Sequence, residues 1–210
     1  MTSQEAVEKL KARFADAVGA VVEFRDETTV TVSAARIVDV CRFLKTDCAF
    51  DVLTDLSGVD NYGEDPRFEV DYQLYSLAHR CRLRVKVEVS EDDMAVDSVT
   101  SVWRTANWHE REAFDMFGLR FRGHPNLKRI LMWEGYPHHP LRKEFPLAGI
   151  PTELPETAVN ADTVRAAPML GGPFVAPSGT RSSLRREPRQ SDTVVERQEA
   201  LKNPTKQESV

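Results

Sequence analysis

The sequence predicts a two-layer α+β domain, a largely antiparallel or mixed sheet covered by helices, followed by a long extended C-terminal arm. Three observations predict it. Between residues 68 and 89 apolar and polar residues alternate in two neighbouring runs, the pattern of paired strands with one covered face and one wet or partner-facing face. On either side of these runs, apolar residues recur every three or four positions, as on helices laid over a sheet. Eleven of the twelve prolines stand at or after Pro125, and from Ala148 onward apolar residues occur singly and without period, so that stretch cannot build a core. The implied boundaries are an α+β domain over 1–125, a loop and the start of the arm over 126–147, and a partner-binding tail over 148–210.

Taken in order, Thr2-Ser3-Gln4-Glu5 reads as a capping box. It opens a helix with Val7, Leu10, Phe14 and Val18 on one stripe, ending near Gly19. The branched residues of 21–24 and 28–32 flank Arg25-Asp26-Glu27 as a hairpin. From Ser33, the spacing of Ile37, Val40, Cys41 and Leu44 predicts a second helix. Phe50, Val52, Leu53 and Leu56 form a short apolar run before the turn-rich segment 58–66. Phe68, Val70, Tyr72 and Leu74 then make one alternating strand, and Cys81, Leu83, Val85, Val87 and Val89 the next. Asp97 or Ser98 can cap a helix bearing Val99, Val102, Trp103 and Ala106, which leads into another over 108–117. The expected order is α-β-β-α-β-β-β-α-α. Beyond the arm's prolines, only 192–202, with Val194, Val195, Gln198 and Leu201, suggests a last short helix.

The helix at 108–117 is the chemically densest stretch. At about 100° per residue, Ala113, Phe114, Met116 and Phe117 make an apolar arc, with Trp108, Arg111, Glu112 and Asp115 opposite. Arg111 and Asp115 read as a surface pair four residues apart. Glu110 falls inside the apolar arc. Burying its carboxylate is costly unless a cation or several donors meet it, so the helix predicts a cationic partner from elsewhere: Arg120, Arg122, Lys128, Arg129 or another chain. Gly118 is the expected C-terminal cap, and Gly123-His124-Pro125 a turn before Leu127, Ile130 and Leu131.

Composition narrows the function. Charged residues make up 29% of the chain, with a net charge of -5, which disfavours nucleic acid as a partner. The basic group Arg181, Arg185, Arg186 and Arg189 is diluted by Glu187, Asp192, Glu196 and Glu199. No apolar run approaches the roughly 20 residues that span a bilayer, and residues 1–10 do not read as a signal peptide. Cys41, Cys48 and Cys81 lack the close spacing of zinc or iron–sulfur ligands. His124, His138 and His139 have no ligand pair to complete a metal site. There is no Gly-x-Ser-x-Gly or Cys–His signature, phosphate loop or dinucleotide fingerprint. Glu110, Glu112 and Asp115 fit a salt-bridged structural helix better than a set of general acids. The residues by themselves describe a protein that holds something, without a reacting centre of its own.

Glu110-Arg111-Glu112, Asp115-Met116-Phe117-Gly118, Gly123-His124-Pro125 with Leu127, Arg129, Ile130 and Leu131, and Pro140-Leu141-Arg142-Lys143-Glu144-Phe145-Pro146-Leu147 resemble the signature of the C subunit, the 30 kDa subunit, of bacterial NADH-quinone oxidoreductase, respiratory complex I. The segment 53–60 extends the resemblance toward the N-terminus. It implies a cofactor-free member of the hydrophilic arm, beside the D and B subunits, in an enzyme that transfers electrons from NADH to quinone coupled to proton translocation. FMN, iron–sulfur clusters, NADH and quinone are then bound by other subunits. Membrane association comes only through the complex, peripherally on the cytoplasmic side of the cell membrane. Compared with the family, the loop 134–143 is three residues longer, and the chain ends without the D-subunit sequence fused to it. Two other classes are carried: the equivalent subunit of a membrane-bound hydrogenase or ferredoxin/quinone oxidoreductase, and a non-redox binding or assembly protein.

Overall fold

A computed structural model describes residues 1–147, 149–151 and 175–176. Two compact units are present, Met1–Lys143 and Glu144–Val210. In the second, β8 (Ile150–Pro151) pairs in parallel with β9 (Val175–Ala176). The rest of the expected arm, with its short helix at 192–202, lies outside the described residues.

The first unit has the expected α+β architecture, and its sheet is mixed. Its elements are α1 (Ser3–Arg13), β1 (Val18–Phe24), β2 (Glu27–Val32), a 3-10 turn (Ala34–Arg36), α2 (Ile37–Thr46), β3 (Val52–Asp60), β4 (Phe68–Ser76), β5 (Cys81–Val89), β6 (Ala95–Asp97), α3 (Ala106–Phe117) and β7 (Arg120–Arg122). The strand order β1-β2-β5-β4-β3 is antiparallel throughout except where β2 lies parallel to β5. A separate pair, β6 and β7, is parallel.

The local signals act as the residues dictate. Thr2 caps α1 while Glu5 returns a bond to the cap N–H, a complete capping box. In β4, Phe68, Val70, Tyr72 and Leu74 are buried, and in β5, Leu83, Val85, Val87 and Val89. They meet Ala6, Val7 and Leu10 of α1, Ile37, Val40, Cys41 and Leu44 of α2, and Ala113, Met116 and Phe117 of α3 in a single core. Each fully buried large aliphatic side chain contributes about 1.5–3 kcal/mol. The outer face of the sheet is polar, with Lys86 paired to Glu69 and Arg84 to Glu27.

Three expectations are corrected. Helix α1 stops at Arg13, because Phe14 leaves helical dihedrals (φ -130°, ψ 50°) and its ring packs edge-on against Phe43 at 5.6 Å; Val18 belongs to β1. The strand begun at Val52 runs on through Gly58 to Asp60. Gly58 is there because a Cβ would stand 2.7 Å from the Phe117 ring of α3. The segment over 98–105 is a run of turns and no helix, even though Val99, Val102, Trp103 and Ala106 are buried as their spacing suggests. Its Val99 N–H is taken by the Glu110 side chain, and Ser98 hydroxyl and backbone bonds compete with helical ones.

Candidate functional site

Asp115, Gly118, Arg129, Leu141 and Arg142 of the signature converge on the C-terminal end of α3. A helix leaves its last four carbonyls without partners inside the helix; here all four are met. Gly118, in the left-handed region at φ 82°, closes the helix with its N–H on the Phe114 carbonyl. Arg129 Nη1 and His139 Nδ1 donate to the Asp115 carbonyl at 3.1 and 3.0 Å. The Leu141 N–H donates to the Met116 carbonyl, and Arg142 Nε to the Phe117 carbonyl at 2.7 Å. Two guanidinium groups thus sit at the negative end of the helix, where the macrodipole favours them.

Asp115 completes this clamp from within. Its side chain has no exposed surface and bonds Arg129 Nη1 at 2.6 Å through Oδ1. Through Oδ2 it accepts the consecutive N–H groups of Ile130, Leu131 and Met132 at 2.7–2.9 Å. Burial pushes its carboxyl up, but the three N–H donors and Arg129 outweigh this and hold it below the ordinary range. The expected surface pair of Arg111 with Asp115 is therefore corrected. Arg111 instead donates to the carbonyls of Lys128 and Arg129 and lies over the Trp108 ring at 5.1 Å.

A second carboxylate, at the end of the segment 53–60 but not among the expected site residues, anchors the far end of the loop. Asp60 of β3, fully buried at its side chain, accepts Arg67 Nε and Nη2 at 2.8 and 3.0 Å and the Lys143 N–H at 2.8 Å. Burial raises its carboxyl, and the Arg67 and Lys143 bonds bring it below the usual value. Between the anchors, Pro140 and Tyr136 are buried. Tyr136 meets the Trp133 ring at 4.6 Å and lies under the Arg129 guanidinium.

Glu110 is buried as expected, with 0% exposure, but its partners are not cations. Ser98 Oγ donates to Oε2 at 2.7 Å and the Val99 N–H to Oε1 at 2.8 Å. Of the expected cations, Arg120 and Arg122 turn outward to Asp93 and Asp97, Arg129 is held by Asp115, and Lys128 is exposed. His124 Nε2 lies 4.0 Å from Oε2. Its ring is nevertheless neutral: Nδ1 accepts the Asn126 N–H, and Nε2–H donates to the Asn107 carbonyl. Burial also lowers the His124 pKa. Burial raises the Glu110 carboxyl, and the two hydrogen bonds offset this only in part, leaving it at about 7.

The remaining signature residues lie at the rim. Glu112, Pro125 and Lys143 are exposed, and Gly123 (φ 79°) turns the chain between β7 and His124. Trp108, Leu131 and Leu141 expose 61%, 57% and 45% of their surface. Among the described residues, no group of three or more His, Cys, Asp or Glu side chains is placed to hold a metal ion, and no helix is long and apolar enough to cross a membrane. A Cβ on Gly118 would stand 2.7 Å from both Arg142 Nη2 and His139 Nε2. Since a left-handed non-glycine residue costs about 1–2 kcal/mol even without a clash, Gly118→Ala should lower stability by about 2 kcal/mol or more. Urea unfolding followed by tryptophan fluorescence reads this; an unchanged midpoint would refute the fit.

Fold and site together describe a two-layer α+β domain whose carboxylate-bearing helix holds the loop that follows it. A family model described as "Respiratory-chain NADH dehydrogenase, 30 Kd subunit" matches residues 30–151, and the chain belongs to that family. It is 47% identical over 147 residues to a protein of Geotalea uraniireducens named as the C subunit of NADH-quinone oxidoreductase, covering 70% of this chain and 90% of that one. It is 57% identical over 125 residues to the second NADH-quinone oxidoreductase C subunit of Rhizobium etli, covering 59% and 66%. Among solved structures, the trypsin-resistant fragment (1-134) of Nqo5 is similar with a TM-score of 0.53 and 29% identity, over 59% of this chain and 98% of that one. A chain of an archaeal membrane-bound sulfane sulfur reductase shares the fold, with a TM-score of 0.60 at 22% identity over 69% and 85%.

Proposed function

We propose that this chain is the C subunit of an NADH-quinone oxidoreductase: a cofactor-free structural member of the hydrophilic arm, packed beside the D and B subunits. The reading rests on the 47% identity that covers 90% of such a protein. In this role the chain carries no electrons itself. It supports a complex that passes them from NADH to quinone with proton translocation, while other subunits hold FMN, the iron–sulfur clusters, NADH and quinone. It lies peripherally on the cytoplasmic side of the cell membrane, bound there through the complex.

The clamp supports such a role physically. Fixing the loop 128–143 at both ends removes conformational entropy before any partner arrives, so less is lost on docking. The loop and helix leave Trp108, Leu131 and Leu141 outside, apolar groups that a neighbouring protein would cover. Purification of the tagged chain from detergent-solubilised membranes should bring down the D and B subunits, flavin and NADH-oxidising activity. Recovery with a nickel–iron protein, or with no redox protein, would overturn the assignment.

A further inference from the structure

Glu110 is enclosed by groups from several elements, and none is a cation. Ser98 and Val99 come from the chain after β6, and His124, held neutral, from the turn after β7. From the core, the Cys41 thiol of α2 and the Tyr72 phenol of β4 sense the Glu110 charge; both are fully buried, and burial drives both pKa values up, so both stay neutral. On α3 itself, His109 faces Asp55, Arg111 is spent on the Lys128 and Arg129 carbonyls, and Asp115 is held by Arg129. An ionised Glu110 would thus be a buried charge supported by only two neutral donors, an expensive arrangement.

Behind the carboxylate, a chain of hydroxyls leads outward. Ser98 Oγ lies 2.7 Å from Glu110 Oε2 and 2.8 Å from Thr100 Oγ1, and Thr100 is half-buried. We propose that Glu110 is a proton-binding site within the domain, with the Ser98 and Thr100 hydroxyls as the route by which its proton enters and leaves. Two closed hydrogen-bond arrangements fit the same heavy-atom positions. With the site empty, Thr100 O–H donates to Ser98 Oγ and Ser98 O–H to Oε2. With the site filled, Oε2–H donates to Ser98 Oγ and Ser98 O–H to Thr100 Oγ1. The Val99 N–H donates to Oε1 in both. On release, the Oε2–H bond breaks as a new O–H forms on Ser98; Ser98 passes its former proton to Thr100, and Thr100 passes its own to water. One proton moves in total, and each hydroxyl ends with one hydrogen.

The site makes folding depend on pH in a defined direction. Below about 4.5, the ordinary glutamate value, folded and unfolded chains both hold the proton. Between about 4.5 and 7 the folded chain keeps a proton that the unfolded chain has released, so stability falls as pH rises and levels off above 7.

Infrared titration of the full-length chain tests this. The wild type should show a protonated-carboxyl band that fades as pH rises through about 7, and the band should be missing in Glu110→Gln. In denaturant titrations the wild-type folding constant should fall by up to tenfold per pH unit over about pH 5–7, and this Glu110-dependent slope should vanish in Glu110→Gln, whose amide can still accept from Val99 and donate to Ser98. Ser98→Ala removes a donor to the ionised form, so the infrared transition should move upward by about one pH unit, a shift that a purely structural role would not produce. A wild type without the titrating band, or a transition unmoved in Ser98→Ala, overturns the proposal. These two readings decide it even where Glu110→Gln does not fold.

Discussion

Replacing Asp115 with alanine is expected to lower the unfolding free energy by about 3–5 kcal/mol, the range for removing one member of a buried ion pair. Arg129, only 15% exposed at its side chain, would face α3 without its carboxylate, and three consecutive N–H groups would lose their acceptor. Domains are commonly stable by only about 5–15 kcal/mol, so much of the margin is at risk. Urea unfolding gives the magnitude. Proteolysis should locate the damage, with new cleavage near 129–132 before the sheet opens. Wild-type stability in Asp115→Ala would show that the clamp does not hold the loop.

Asp60→Ala should follow closely, with a loss of about 3 kcal/mol. It removes the acceptor of a nearly buried Arg67 and releases the Lys143 N–H; Glu91 keeps a bond to Arg67 at 2.7 Å and so tempers the effect. Cleavage should now begin around 143, leaving 129–132 protected. The two carboxyls also share a pH signature. Both are held below the ordinary aspartate value, so their contribution is complete above about 3.8 and is lost as pH falls through the depressed folded values. On acidification below about pH 3.8 the wild type should therefore lose stability more steeply than Asp60→Ala, so that the gap between them narrows; a gap that does not change with pH would count against the pairing.

The elements that can be read from the chain are those whose signals are local. The capping box of α1, the stripe of α2 and the alternation of β4 and β5 need no distant partner to be recognised. A helical wheel puts Asp115 on the wrong surface because it knows only the core beneath the helix; the loop 129–132 returns over the opposite side and buries that side too. Glu110 lies inside, with partners beyond its own helix, yet the expected cation is replaced by a serine, a backbone N–H and a proton. The same bond explains why 98–105 does not form a helix, since the Val99 N–H is committed to a residue not yet reached in reading the sequence. Gly58 and Asp60 look like turn residues in the sequence because what they do depends on Phe117, Arg67 and Lys143.

The parallel pairing of β2 with β5 has a consequence for biosynthesis. Thr29 lies opposite Arg84, and Val30 opposite Val85, so the first hairpin is made long before its neighbour in the sheet. β3, β4 and β5 form a meander of adjacent strands, but the hairpin joins it only across the closure of a long intervening loop, the kind of non-local contact that slows folding. Until residue 89 has left the ribosome, β2 therefore offers an open edge and Val30 and Val32 lack their finished cover. An open edge beside uncovered apolar side chains is the feature that exposes a nascent chain to unwanted strand pairing.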